Sequence, residues 1–246
     1  MTHKHNEGYN PFLEKVDIQE IGEKEEYKDF YPVYLSSGQG EEILELPIIQ
    51  LDPDIENSIG IALFYSEQAD LEIIERLNLM LCERLYKDGV TPDVVVGIPT
   101  LGLCLARGVA KNLHHKNYVP LSTSKKAWQN PKLRTDLLSS TSTRKSMYLD
   151  QSMLQRLQKD IGGETVVIVD DVINTASSMI AAIELVKLAN PKADIHILVT
   201  MTEGHDWEQN LERVGFNWQS NLHSLGHIPV FTQTETGLWK PLPETL

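Results

Sequence analysis

The chain has 246 residues, 41% of them hydrophobic and 23% charged, with a formal net charge of -13. That supplies a real core for one domain with extensions and is unlike a disordered chain. The acidic balance argues against general nucleic-acid or membrane-surface binding, and no apolar run is long enough to span a bilayer.

Residues 1–26 are polar and weakly periodic, and are expected to be mobile. The opening Met1–Gly8 carries no hydrophobic signal segment, so a cytoplasmic protein is expected. Tyr27 to Ile49 reads as a β-hairpin turning at Ser36–Gly40. Ser58 to Tyr65 is a further strand. Asp70 opens a helix to about Lys87, with Leu71, Ile74, Leu77, Leu81 and Leu85 on one stripe. Cys82 and Cys104 lie in apolar helical runs and read as small buried hydrophobes in a reducing compartment.

From Pro92 the pattern alternates between strand and helix. Asp93–Gly97 is a strand, Gly102–Leu113 a helix and Tyr118–Leu121 a strand. Ser122 to Ser146 is a long loop rich in Ser and Thr; loops of that length in compact domains are usually lids or binding loops. Met147–Leu149 is a short strand and Gln151–Leu157 a helix. Thr165–Val169 is a central strand, Ser177–Leu188 a helix and Ile195–Met201 the next strand. Continuous apolar strands alternating with helices indicate a parallel sheet covered on both faces. Asp206 to Leu246 reads as a separate cap. Its Phe231 and Trp239, with Trp207, can either present a stacking face for a planar base or fill a small core.

Charge is uneven. Between Leu121 and Met147 stand Lys125, Lys126, Lys132, Arg134, Arg144 and Lys145 against Asp136 alone. A basic island in an acidic chain suggests a small polyanion as ligand. The histidines show no metal-ligand spacing, and no serine sits in a nucleophile elbow.

The most informative stretch is Glu164 to Ser178. β-Formers run into Asp170-Asp171, then Val172-Ile173-Asn174-Thr175-Ala176-Ser177-Ser178 lead into a helix. Ligands of open parallel sheets bind at the carboxyl ends of strands. Two acids leaving a strand can take neighbouring hydroxyls of a ribose, or one can act through Mg²⁺ and its water shell. Amides and hydroxyls of Thr175 to Ser178 at a helix start suit a phosphate. A second strand-to-helix joint, Gly97-Ile98-Pro99-Thr100-Leu101-Gly102, offers amides at Thr100 to Leu103 for another anion, and lacks the lysine of a nucleotide-binding P-loop.

Val167-Ile168-Val169-Asp170-Asp171-Val172-Ile173-Asn174-Thr175-Ala176-Ser177-Ser178 resembles the phosphoribosyl pyrophosphate signature of type I phosphoribosyltransferases. The likeness spans roughly Pro92 to Met201, and Ser124-Lys125-Lys126-Ala127-Trp128 resembles a loop of one poorly characterised branch. Two departures stand out: Ala176 replaces the glycine after Thr, and Ser178 the closing Thr.

The resemblance implies an α/β fold, phosphoribosyltransferase-like: a twisted, mainly parallel sheet with helices on both faces, an N-terminal β/helix extension (27–91), a core (92–205) and a C-terminal hood (206–246). It implies transfer of a 5-phosphoribosyl group from phosphoribosyl pyrophosphate to a nitrogenous base, first of all a purine, in nucleotide salvage, with Mg²⁺. Asn174, Thr175, Ala176, Ser177 and Ser178 would hold the 5-phosphate; Asp170 and Asp171 would orient the ribose and hold the metal through water. Asp171 would lie near the base nitrogen. Thr100, Leu101 and Gly102, with Lys125 and Lys126, would receive pyrophosphate, in a loop that often contains a non-proline cis peptide. Arg144 and Lys145 would close down from the far end of the basic loop, with Trp128 as its anchor. A homodimer is kept open. The alternative is a regulator that binds phosphoribosyl pyrophosphate or nucleotides without turnover, motivated by Ala176.

Overall fold

The computed structural model describes residues 25–51, 59–137, 145–158 and 164–246. Nearly all of the N-terminal segment, Ser58 of the third expected strand, and Arg144 lie outside those residues.

Strands β1 (Phe30–Ser36) and β2 (Glu41–Gln50) form the expected hairpin, and β3 (Gly60–Ala62) pairs with β2. Helix α1 (Leu71–Lys87) follows. Its buried stripe is Ile73, Ile74, Leu77, Met80, Leu81 and Leu85; Leu71, expected on it, is 81% exposed because it opens the first turn beyond the packed surface. The Cys82 thiol on this helix is pushed up to about 12 by burial, as befits a packing residue.

Then come β4 (Val94–Gly97), α2 (Gly102–Asn112), β5 (Val119–Pro120), the short strands β6 (Arg134–Asp136) and β7 (Ser146–Tyr148), and α3 (Leu154–Leu157). The segment expected to be one long loop is therefore partly ordered by an antiparallel hairpin, β6 on β7. That hairpin and its flanks pack Leu133, Met147 and Leu149 into the core beside the helix Ser177–Ala189, and the Thr135 hydroxyl donates to Glu184 there. Strand β8 (Thr165–Ile173), α4 (Ser177–Ala189), β9 (Asp194–Glu203), α5 (Asp206–Arg213), α6 (Trp218–Asn221), β10 (Leu222–Ile228), β11 (Val230–Gln233) and β12 (Trp239–Pro241) complete the chain.

A five-stranded sheet, ordered β10-β9-β8-β4-β5, is parallel throughout. A second sheet, β1-β2-β3-β11-β12, is antiparallel throughout. Both faces of the parallel sheet are buried, which explains its unbroken apolar strands. Val94, Val96, Val166, Ile168, Ile197 and Val199 face α4, α5 and the β6–β7 hairpin. Val95, Val167, Val169 and Leu198 face α1, α2 and the antiparallel sheet. Each such side chain contributes about 1.5–3 kcal/mol on burial.

The segment 206–246, expected as a separate cap, divides between the two sheets. β10 returns through α5 and α6 to lie parallel to β9, the ordinary crossover of a βαβ unit, while β11 and β12 join β3. Its aromatics are consumed by that packing. Trp207 and Trp218 meet edge-on in one core, Phe231 meets Tyr31 in the other, and Trp207, Phe231 and Trp239 are all buried. They present no open stacking face.

Candidate functional site

β8 extends four residues beyond its expected end at Val169 because β9 keeps pairing with it, through Asp170–Val199 to Ile173–Thr202. β4 stops earlier: Gly97 opposite Val169 is its last pair, and the Ile98 amide donates to the Val169 carbonyl at 3.1 Å. Asp170 and Asp171 thus stand just past the end of β4, where the sheet opens. Strand alternation sends them to opposite sides. Asp170 is partly exposed, and with Asn174 through Met179 it lines a cavity of about 160 Å³. Asp171 is buried and lies outside that lining; its charge reaches the Cys104 thiol on α2.

The two carboxyls are coupled. Burial, reinforced by the charge of Asp171, holds Asp170 well above the ordinary carboxylate range. Burial also raises Asp171, against hydrogen bonds from the Val172 amide and from Asp170. Two acids this close in a poorly solvated site cannot both ionise freely, and both carboxyls are held above their ordinary range. The Asp171 amide donates to Asp170 Oδ1 at 3.0 Å and fixes that carboxyl.

Thr175, Ala176, Ser177 and Ser178 wrap the cavity where α4 begins. Ala176 sits at φ 59°, ψ 9°, in the left-handed region, so the local geometry is one that glycine adopts without cost and alanine does not. The loop is tied down from outside: Asn210 on α5 donates to the Thr175 carbonyl at 3.0 Å, and Asn174 Nδ2 donates to Glu203 at the end of β9. Glu203 is buried, and burial raises its carboxyl while the Asn174 amide opposes that.

The other loop converges on the same acids. The Pro99–Thr100 peptide bond is cis. The Leu101 carbonyl accepts from Ser66 Oγ at 2.8 Å, and Ser66 is buried in the turn Ser66–Gln68. At Gly102 an added Cβ would fall 2.7 Å from Asp170 Oδ1 and 2.7 Å from the Val169 carbonyl, so the start of α2 rests directly on Asp170. Of the amides expected to be free, that of Leu103 is taken by the Thr100 carbonyl at 3.3 Å.

Lys125 and Lys126 are exposed, and no ion pair joins them or Lys145 to either acid among the described residues. Lys145 sits beside the β6–β7 hairpin, its carbonyl accepting from Leu137. Trp128 is no buried anchor: it is 72% exposed and held by a 3.0 Å bond from its indole N–H to Asp150. Ser66, Asn210 and Glu203 escaped sequence reasoning. Glu203 alone carried a signal, as an acid ending the apolar run of β9, the same pattern that flags Asp170.

Two loops at the carboxyl ends of neighbouring parallel strands, meeting over paired acids, define a nucleotide- or sugar-phosphate-binding α/β protein. A phosphoribosyl transferase domain model matches residues 66–227, and the chain belongs to that family of enzymes. Solved structures of similar fold include an adenine phosphoribosyltransferase from Rhodothermus marinus. It is 18% identical, with 74% of this chain and 93% of that one covered and a TM-score of 0.51. Another, from Thermoanaerobacter pseudethanolicus, is 18% identical, with 64% and 82% covered and a TM-score of 0.50. No curated protein shows a significant sequence match.

Proposed function

We propose that this protein transfers the 5-phosphoribosyl group of phosphoribosyl pyrophosphate to a purine base, releasing pyrophosphate, in nucleotide salvage in the cytoplasm. The observation that carries the reading is the small polar cavity that Asp170 lines with the Ala176 loop, with Gly102 resting against the same Asp170. Family membership supports the reaction class. The similar folds named as adenine phosphoribosyltransferases motivate a purine as first choice.

The residues divide the work. Amides and hydroxyls from Thr175 to Ser178, with Asn174 and Ala176 shaping the loop, receive the 5-phosphate. Asp170 and Asp171 take the ribose hydroxyls. A divalent cation would relieve the repulsion between two carboxylates this close, so the pair suits Mg²⁺, which would supply charge compensation for the diphosphate. Thr100, Leu101 and Gly102 face the departing pyrophosphate. Lys125 and Lys126, with Arg144 and Lys145, close over it and offset the charge that builds on the leaving group. Asp171, on the other side of the strand from Asp170, would take the proton of the acceptor nitrogen as the new glycosidic bond forms.

Pyrophosphate release by the full chain, with Mg²⁺, phosphoribosyl pyrophosphate and each of adenine, hypoxanthine, guanine, xanthine, uracil and orotate, tests this. Turnover with one purine is expected. A second reading, a sensor that binds the sugar diphosphate without turnover, is favoured by one observation: a strained alanine where the phosphate loop demands a left-handed residue. Calorimetric binding of the sugar diphosphate without turnover on any base would select the sensor. Absence of binding would overturn both.

A further inference from the structure

A second concave site lies at the other end of α2. It has a volume of about 590 Å³, against 160 Å³ for the cavity beside Asp170. Its charged lining is entirely basic: Arg107 and Lys111 from α2, His114 and Lys116 from the turn before β5, and Arg156 from α3. The one acid nearby is Asp93, which lines the adjoining concavity that shares His114, Lys116 and Arg156, and none of Arg107, Lys111, Lys116 and Arg156 forms an ion pair among the described residues. In a chain of net charge -13, such a gathering from separate elements is not the average surface. Lys111 alone is explained by the helix C-terminus, where a cation meets the macrodipole. That leaves Arg107 and Lys116 without a structural task of their own charge.

Two details look built. Arg156 is half-buried, and its Nη1 donates to the Tyr118 carbonyl at 2.6 Å, which fixes the guanidinium in the wall. His114 sits at φ 61° in the turn that closes α2. The His115 amide reaches back to the Ala110 carbonyl at 2.9 Å, the arrangement in which glycine normally takes the left-handed position. An imidazole held at that position lines the pocket at a cost of about 1 kcal/mol. Beside the cations, Ala110, Pro120 and Tyr118 add apolar lining.

We propose that this pocket binds a nucleoside di- or triphosphate, distinct from the site at Asp170. The cations match a chain of phosphates rather than one. The volume falls in the range of small-ligand sites and exceeds the need of inorganic phosphate. The apolar wall suits a base or sugar, with the Tyr118 ring as its aromatic element. The site shares no lining residue with the cavity at Asp170, although Arg107 stands only about 7.5 Å along α2 from Gly102.

Calorimetry on the full chain tests it, with ATP and GTP as probes, in the presence and absence of saturating phosphoribosyl pyrophosphate and Mg²⁺. At least one probe is expected to bind, with its affinity unchanged by the sugar diphosphate and at least tenfold weaker in Arg107→Ala/Lys116→Ala. Amide shifts of residues 114–118 on titrating the unmutated chain give the same answer should that variant fold poorly. Failure of both probes to bind would overturn the proposal. So would displacement by phosphoribosyl pyrophosphate, or binding indifferent to the double substitution. Dissociation of a dimer by that substitution, with nucleotide binding unaltered, would assign the patch to a subunit interface instead.

Discussion

Gly102 and Asp170 touch so closely that no side chain fits between them: a Cβ on Gly102 would lie 2.7 Å from the Asp170 carboxylate oxygen. One contact thus couples the start of α2 to the acid that faces the phosphate loop. Gly102→Ala is expected to push both apart. Overpacking against the Val169 carbonyl should cost about 1–3 kcal/mol of stability. Activity should fall further, because misplacement by about 1 Å can cost a hundredfold in rate. Thermal melts alongside turnover check this; an active, unshifted variant would refute it.

Asp170 itself is placed at the expense of stability. Its carboxyl is held well above the ordinary range by burial and by Asp171, so the folded chain binds a proton that the unfolded chain releases. Stability from this group therefore falls as pH rises through the ordinary carboxylate range toward the raised value. Asp170→Asn removes that burden. The ligand-free variant should melt about 2–4 °C higher for each kcal/mol recovered, and should lose turnover and Mg²⁺-dependent binding of the sugar diphosphate. A lower melting temperature would show that the pair is structurally favourable instead.

Ala176→Gly should tighten binding of phosphoribosyl pyrophosphate. A left-handed alanine costs about 1 kcal/mol that glycine does not, equivalent to roughly fivefold in affinity where binding is what holds the loop in that conformation. Loss of the buried methyl offsets part of this in the unliganded fold. Titration calorimetry on both proteins decides; equal affinities, with a higher melting temperature for the glycine variant, would mean that the cost is already met in the unliganded fold.

Glu203 holds the amide of Asn174 with the nitrogen turned inward, leaving the Asn174 oxygen for other partners. Glu203→Leu should free that amide to rotate. About 1–2 kcal/mol of positioning would be lost, a roughly tenfold fall in kcat/KM or more, with the melting temperature held or raised as a buried acid disappears. Kinetics that do not change would make Glu203 a structural acid only.

At the amino end of the sheet, His223 Nδ1 lies 2.7 Å from Asp88 and its Nε2 3.0 Å from His196. Burial holds the His223 imidazole below its ordinary value despite the Asp88 partner. A histidine kept neutral by the fold takes up a proton more readily when unfolded, so its stability is complete above an unfolded pKa of about 6.5 and declines as pH falls toward the depressed folded value. Asp88 adds a lower window. Burial pushes it up, but hydrogen bonds from His223 and Arg84 outweigh this and hold it below its ordinary value, so its contribution fades only in acid. Melts from pH 8 to 5 should show the decline in the unmutated chain and a flatter profile in His223→Gln.

The alternating apolar strands, the N-terminal hairpin and the paired acids before a small-residue turn were legible in the sequence, because periodicity and charge placement are local properties. The family resemblance also flagged Ala176 as standing in a glycine's place, and the structure then showed it left-handed. Sequence could not say that residues 206–246 split between two sheets, since strand partners far apart in the chain are chosen by packing. Nor could it show that the ordered β6–β7 hairpin occupies part of the basic loop, or that Ser66, Asn210 and Glu203 brace the site. Those contacts join residues 29 to 35 positions apart, where only the folded backbone brings donor and acceptor within reach.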